Sequence, residues 1–366
     1  MTTVNLRRTP LYDNHVALQA RMVEFGGFEM PVQYAGVLRE HDAVRHRAGL
    51  FDLSHMGQFV LRGAEIGEWA DRLTVNEVAT MRPWQARYNL FCGESGGTHD
   101  DVIFYRQEGD EWLLVVNASN ARKMWGILQA HRRPGITLEN HHGTDALIAI
   151  QGPRSVEIVG RLVAPSERES IVGMRYYFCA RTSVAGIPVL LARTGYTGED
   201  GFELFVANDD AVGLWDALLE AGVSDGLEPC GLGARDVLRL EAGMPLYGHE
   251  LEEDITPLQA GLGWAVKFGK PVFEGKVALE AQRVADDYAR IAAFTLEGRA
   301  PQPRMGYRVY AQGIDVGEVR SGAVGIGTAL IDPSAAKVGS PLEVEIRDKR
   351  WPATVVKLPF YKRAKT

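Results

Sequence analysis

Apolar residues fall along this chain in two rhythms, the three-and-four spacing of helices and the period of two of strands, with glycine-rich breaks between them. The first rhythm predicts helices over 11–22 and 37–47, the second with Val37, Leu38 and Val44 on its apolar side and Gly49 as its stop. Between them, 25–34 mixes glycine, aromatics and Pro31 and predicts an irregular element packed on a core. Residues 51–61 read as a turn leading into a strand. A helix after Trp69 precedes strands at 87–92, 101–106 and 112–116, and the glycines of 93–97 predict a hairpin turn. An apolar strand at 146–151 is followed by a helix at 155–162. Strands at 187–192 and 202–206 flank a glycine-rich loop, helices follow at 210–221 and 231–241, and 261–268 reads as a strand before a linker-like 269–274. From Arg290 the pattern changes to short alternating strands (292–296, 307–310, 317–319, 342–346, 353–356), which predict a separate small β-domain, barrel or sandwich.

The loop carries the densest chemistry: Arg193-Thr194-Gly195-Tyr196-Thr197-Gly198-Glu199-Asp200-Gly201-Phe202-Glu203. Glycines this close together allow positive φ angles and a near approach of backbone to ligand. Alternation puts Glu203 on the strand face opposite Phe202. If both faces are covered, its carboxylate must find donors, and a planar carboxylate in a pocket suits paired N–H groups such as the edge of a pterin or purine. A solvated acidic hairpin tip is the plainer reading. Asp100 and Asp101 open a strand and point to opposite faces, so one of them faces inward as a candidate for acid/base or electrostatic work, while a turn carboxylate in water is the other reading. His55, close to Asp52 and Ser54, does not make a hydrolytic triad on proximity alone and reads as structural. Arg235 and Arg239 share a helix face; one is a candidate for an anionic ligand, with ion pairing inside the fold as the alternative.

With 366 residues the chain is too long for one ordinary core and predicts two or three domains. A formal net charge of -7 argues against a general nucleic-acid binder. Residues 1–8 carry two arginines without the apolar core of a signal peptide, and no apolar run is long enough to span a membrane, which together point to a cytoplasmic protein. Cys92, Cys179 and Cys230 are widely spaced and form no CxxC pair, so buried thiols are expected rather than disulfides or a zinc site.

Six motifs in order carry a resemblance over nearly the whole chain: Arg7-Arg8-Thr9-Pro10-Leu11-Tyr12, 51–57, Gly96-Gly97-Thr98-His99-Asp100-Asp101, 193–203, 231–248 and Lys357-Leu358-Pro359-Phe360-Tyr361. The sequence resembles the aminomethyltransferase, or T-protein, family of the glycine cleavage system. The resemblance implies an α+β fold of two interleaved lobes with antiparallel sheets (about 1–50 with 143–270, and about 51–142, together 1–270) and a C-terminal β-barrel at 285–366, arranged around a central folate-binding hole. It implies release of ammonia from the aminomethyl-dihydrolipoyl arm of H-protein and transfer of the one-carbon unit to tetrahydrofolate as co-substrate, giving 5,10-methylenetetrahydrofolate. No metal, flavin or nicotinamide is implied. Other glycine cleavage components become the expected partners, with no nucleic acid and no membrane.

Carried onto this sequence, Asp101 matches the catalytic carboxylate, stabilising the cation that forms as a C–N or C–S bond breaks. Glu203 matches the group that takes the pterin edge with its two oxygens. Met56, Tyr88, Asn117, Tyr196 and Trp264 match positions around the folate rings, and Arg235 an arginine near the cofactor. Phe28 stands where relatives commonly have tryptophan, and 321–327 is shorter than the family's usual segment. A folate-dependent demethylase of a small methylated compound is the alternative within the fold; a non-enzymatic folate-binding scaffold is the alternative outside enzymes, with Cys230 its nearest sign.

Overall fold

The strand Gly201–Ala207 is apolar on one side and carries Glu203 on the other, yet all but its last residue is buried, because it lies mid-sheet with both faces covered. In the computed structural model, which describes residues 6–364, it belongs to a six-stranded sheet. Residues 1–5 of the expected first lobe and 365–366 of the expected barrel range lie outside the described residues. The sheet order is Cys179–Val184, Ile187–Ala192, Gly201–Ala207, Asp145–Gln151, Ala48–Asp52 and Leu227–Pro229, antiparallel except for the last pair. Phe202, Leu204 and Val206 join Ile148 and Ile150 beneath Ile158, Leu214, Trp215 and Leu218 of the helices Ser155–Leu162 and Asn208–Gly222. On the opposite face Leu147, Ala149, Leu190 and Phe205 meet Val60, Tyr105, Leu113 and Val115 of a second sheet. That sheet runs Ala86–Cys92, Thr98–Arg106, Glu111–Val116, Gly57–Arg62, Thr137–Asn140.

The C-terminal strands close into a six-stranded barrel in the order Arg290–Leu296, Ile326–Ile331, Ile314–Ala323, Arg308–Ala311, Pro341–Ile346 and Lys349–Val356. Closure leaves no unpaired edge, and Phe294, Val309, Val319, Ile331, Val344 and Val355 fill the interior. The short 321–327 stretch is a tight hairpin in which Ala323 pairs Ile326 across Val324 and Gly325. The α+β class with antiparallel sheets and a C-terminal barrel is therefore observed.

The chain separates into two compact units, neither of them continuous. Among the described residues, the first comprises 6–66 with Thr80–Arg87 and Ile103–Leu238; the second comprises Gly67–Ala79, Tyr88–Val102 and 239–364.

Several expectations are corrected. The predicted helix over 11–22 is only Tyr12–Ala17; Gln19 has φ 58°, and Arg21–Phe25 is a strand. The irregular element is a hairpin, Arg21–Phe25 against Phe28–Gln33, because Gly26 (φ 57°) and Gly27 (φ 85°) supply the two positive φ angles of a two-residue turn. Gly49 does not cap a helix. It lies inside the strand Ala48–Asp52, where a Cβ would come within 2.4 Å of Val44 and 2.7 Å of Cys230. Residues 261–268 form successive turns, Ala265 N–H donating to Leu262 and Val266 N–H to Gly263, and not a strand. The linker-like stretch leads into a helix, Lys276–Ala285. All three cysteines are buried free thiols, and burial raises each thiol pKa, that of Cys179 to about 12.

Candidate functional site

The loop between Ile187–Ala192 and Gly201–Ala207 is fixed by its own charged residues. Arg193 grips Asp200 through two bonds, Nε at 3.0 Å and Nη2 at 2.7 Å, and its Nη1 donates to the carbonyl of Met174. Arg45 and Glu199, both 5% exposed, form a buried ion pair at 2.8 Å, and Arg45 also donates to the Thr197 carbonyl at 2.7 Å. Gln151 donates to the Thr194 carbonyl and accepts from the Thr197 hydroxyl, both at 3.0 Å. The glycines serve this packing. Of the three, only Gly198 has a positive φ, 81°, whereas a Cβ on Gly195 would come 2.0 Å from Gln151 Oε1 and one on Gly201 2.5 Å from Gln151 Nε2. Two of the loop's three acids and two of its glycines thus hold the loop to the protein itself.

Glu203 is the exception. It stands opposite Ala192 and Ala149 in the sheet and is 7% exposed. Thr194 Oγ1 donates to its Oε2 at 2.5 Å and Tyr105 OH donates to the same oxygen at 3.1 Å. Burial, and then the charge on Glu203, push the Tyr105 pKa well up, so the phenol keeps its proton and stays a donor. Among the described residues, Oε1 takes no protein donor. The sequence reading gave both oxygens to a ligand, but the fold occupies one of them.

Other named residues of the first unit gather on their own neighbours. Arg235 lies over the Tyr196 ring, 4.7 Å from its centroid, a cation–π arrangement. Met56 is half-buried against the core between the sheets. Asn117, half-buried, follows the strand Glu111–Val116 and precedes the single turn Ala118–Asn120. His55 is 1% exposed, has the Phe25 ring edge-on at 5.4 Å, and leaves Nδ1 without a hydrogen-bond partner among the described residues. It forms no triad with Asp52. That carboxylate instead takes His15 Nε2 at 2.9 Å, Thr9 Oγ1 at 2.7 Å and the Ser54 amide at 2.8 Å.

In the second unit, Tyr88 OH donates to Asp101 Oδ2 at 3.0 Å, and the Trp264 ring stacks on Tyr88 with centroids 6.0 Å apart and planes at 27°. Asp101 is half-buried, while Asp100 is fully buried on the other face of the strand Thr98–Arg106. The more inward carboxylate is thus Asp100, and the one that the family motif names is the more accessible. Arg239 is spent inside the fold, its Nη1 2.9 Å from Glu250 and its Nη2 2.6 Å from Ser321 Oγ. A cavity of about 380 Å³ in this unit has apolar walls that include Met244, Leu262, Trp264, Ile291 and Val338, and neither Asp101 nor Tyr88 is part of them.

Sequence reasoning missed Tyr105, Thr194, Gln151 and Arg45. For Tyr105 a signal existed: it lies two positions after Ile103, and both pack on the core between the sheets.

Residues 11–270 match the GCVT N-terminal domain and residues 290–362 the glycine cleavage T-protein C-terminal barrel domain. The chain belongs to the glycine cleavage T-protein family. Its relatives in the family include an aminomethyltransferase from Geobacillus thermodenitrificans, 45% identical over 99% of this chain and 100% of that protein. Another, from Streptomyces coelicolor, is 47% identical over 100% of both. The crystal structure of glycine cleavage system aminomethyltransferase T from Bartonella henselae superposes with a TM-score of 0.90 at 29% identity, covering 98% of this chain and 99% of that one. T-protein membership makes the chain an enzyme, a transferase of glycine cleavage.

Proposed function

We propose that this T-protein releases ammonia from the aminomethyl group on the dihydrolipoyl arm of H-protein and passes the one-carbon unit to tetrahydrofolate, with Asp101 catalytic and Glu203 recognising the folate. The observation that carries the reading is the Glu203 carboxylate, buried to 7% exposure with both protein donors on Oε2. A carboxylate desolvated to that degree with one oxygen free of protein donors fits a ligand bearing N–H groups, as a reduced pterin does. Tetrahydrofolate supplies the secondary amines that accept the one-carbon unit.

Glu203 then accepts from the pterin edge, and Arg235 and Tyr196, already stacked, offer a charged and an aromatic surface to the co-substrate. Asp101, oriented by the Tyr88 hydroxyl, places a fixed negative charge where positive charge develops as the C–N bond to ammonia breaks. Met56, Asn117 and Trp264 are assigned to the walls of the folate site. The membership of the two sheets, one drawing on 48–52 and 145–229 and the other on 57–140, supports two interleaved lobes followed by the barrel.

Lipoylated H-protein is the partner in the reaction, alongside the other glycine cleavage components, with no metal, flavin or nicotinamide taking part. The net charge of -7 supports a protein that does not work on nucleic acid. Among the described residues no helix is long and apolar enough to cross a membrane, and a cytoplasmic location is part of the same proposal.

The test is a coupled assay with aminomethylated H-protein and tetrahydrofolate, following ammonia and methylenetetrahydrofolate. Stoichiometric products, with Asp101→Asn keeping folate binding and losing turnover by about a hundredfold or more, are expected. Folate binding without turnover would favour the demethylase alternative, and full turnover by Asp101→Asn would remove Asp101 from the mechanism.

A further inference from the structure

Two hydroxyl groups meet at one oxygen of Glu203, and each has a single proton to give. Thr194 Oγ1 lies 2.5 Å from Oε2 and Tyr105 OH 3.1 Å from it, while the two hydroxyl oxygens are 3.5 Å apart. Both side chains are inaccessible, Thr194 at 1% and Tyr105 at 0% exposure. Each is held from elsewhere. Gln151 Nε2 bonds the Thr194 carbonyl at 3.0 Å, and the Phe205 ring stands edge-on to Tyr105 at 5.2 Å and 72°. Neither hydroxyl is left with a proton for a ligand, and the carboxylate plane cannot turn without breaking both bonds.

We infer that Thr194 and Tyr105 are positioning residues for the co-substrate: they clamp Oε2 so that Oε1 alone is presented to the ligand in a fixed direction. This rests on the reading that Glu203 takes tetrahydrofolate. Neither residue touches the folate; both act through the carboxylate. Pre-set acceptors bind more tightly than mobile ones because the ordering is already done in the free protein, and a hydrogen bond to a charged group contributes on a scale of about tenfold to a hundredfold in an equilibrium constant.

The experiment measures tetrahydrofolate Kd, and KM and kcat for both substrates, in the isosteric variants Thr194→Val and Tyr105→Phe, in Thr194→Ser, in Glu203→Ala, and in each isosteric change combined with Glu203→Ala. Thr194→Val and Tyr105→Phe each weaken folate binding about tenfold, leave the KM for H-protein and kcat at saturating folate in place, and have no further effect in the Glu203→Ala background. Thr194→Ser, which keeps the hydroxyl, restores most of the affinity. Persistence of the effect without Glu203 would mean direct contact with folate and overturn the inference. So would wild-type folate affinity in both isosteric variants while Glu203→Ala weakens binding. Unchanged affinity in Glu203→Ala itself would instead remove the folate reading on which the inference rests.

Discussion

Glu250 and Arg239 offer the sharpest quantitative prediction. Their ion pair, 2.9 Å long, has side chains only 4% and 1% exposed, and the Glu250 carboxylate also accepts from the Leu246 amide at 3.0 Å and from the Thr328 hydroxyl. Glu250→Gln preserves volume and an acceptor oxygen but leaves the guanidinium buried without its counter-charge. Breaking a buried pair from one side costs about 3–5 kcal/mol. The low end, about 3 kcal/mol, is expected because Ser321 Oγ and the Met244 carbonyl still accept from Arg239. At about 2–4 °C per kcal/mol for a cooperative unit of this size, the melting transition should fall by about 6–12 °C in scanning calorimetry. The apolar double variant Arg239→Met with Glu250→Leu should recover most of that loss, since no charge remains to be desolvated.

The pair also predicts a pH dependence. Burial pushes the Glu250 pKa up, but Arg239, Thr328 and the Leu246 amide outweigh it, and the net direction is down. A carboxyl with a lowered folded-state pKa stabilises fully above its unfolded value, about 4.3, and loses that contribution as pH falls through the lower folded value. Glu250→Gln should therefore remove part of the acid sensitivity below about pH 4.3. A cost under about 1 kcal/mol at pH 7, or a double variant as unstable as the single one, would refute the reasoning.

Two further predictions concern the functional residues. Tyr88→Phe deletes the donor to Asp101 Oδ2 while keeping the ring that stacks on Trp264, so kcat should drop about tenfold with folate Kd nearly unchanged; an unchanged kcat in the coupled assay would show that Tyr88 does not orient the carboxylate. Burial, reinforced by the charges of Arg235 and His142 and opposed by Asp52, pushes the His55 pKa down to about 3, so its ring protons should not titrate by NMR between pH 8 and 5. The unfolded chain binds a proton there below about 6.5 that the folded one refuses, so this contribution to stability shrinks by about 1.4 kcal/mol per pH unit on acidification; a His55 titration near 6.5 would contradict it.

Elements that a local pattern defines were readable in the sequence. The strand at 202–206, the helix at 155–162 and the barrel strands follow from apolar periodicity, and the need of Glu203 for donors followed from alternation once both faces were taken as covered. Which donors answered that need was not readable, because Tyr105 lies 98 positions away in the chain. The loop glycines have a further role that their spacing does not show: Gly198 supplies the positive φ, while Gly195 and Gly201 admit the Gln151 side chain, which only the sheet brings beside them. The turns at 261–268 resemble a strand because Leu262, Ala265 and Val266 are buried, yet their spacing follows turn packing and not a pleat.

The threading of the chain through its two compact units also bears on synthesis at the ribosome. Gly67–Ala79 and Tyr88–Val102 emerge early but belong to the unit whose remainder begins at Arg239. At roughly 5–20 residues per second the first segment waits about 8–32 s, and the second about 7–27 s, before the rest of their unit begins to emerge. In that interval Leu90 and Cys92, buried in the finished protein among Leu251, Leu262, Phe273 and Leu279, are without most of their final surroundings. A nascent chain halted before Arg239 holds two such orphaned segments, so the early half of this protein is where a chaperone bound during translation has the most apolar surface to shield.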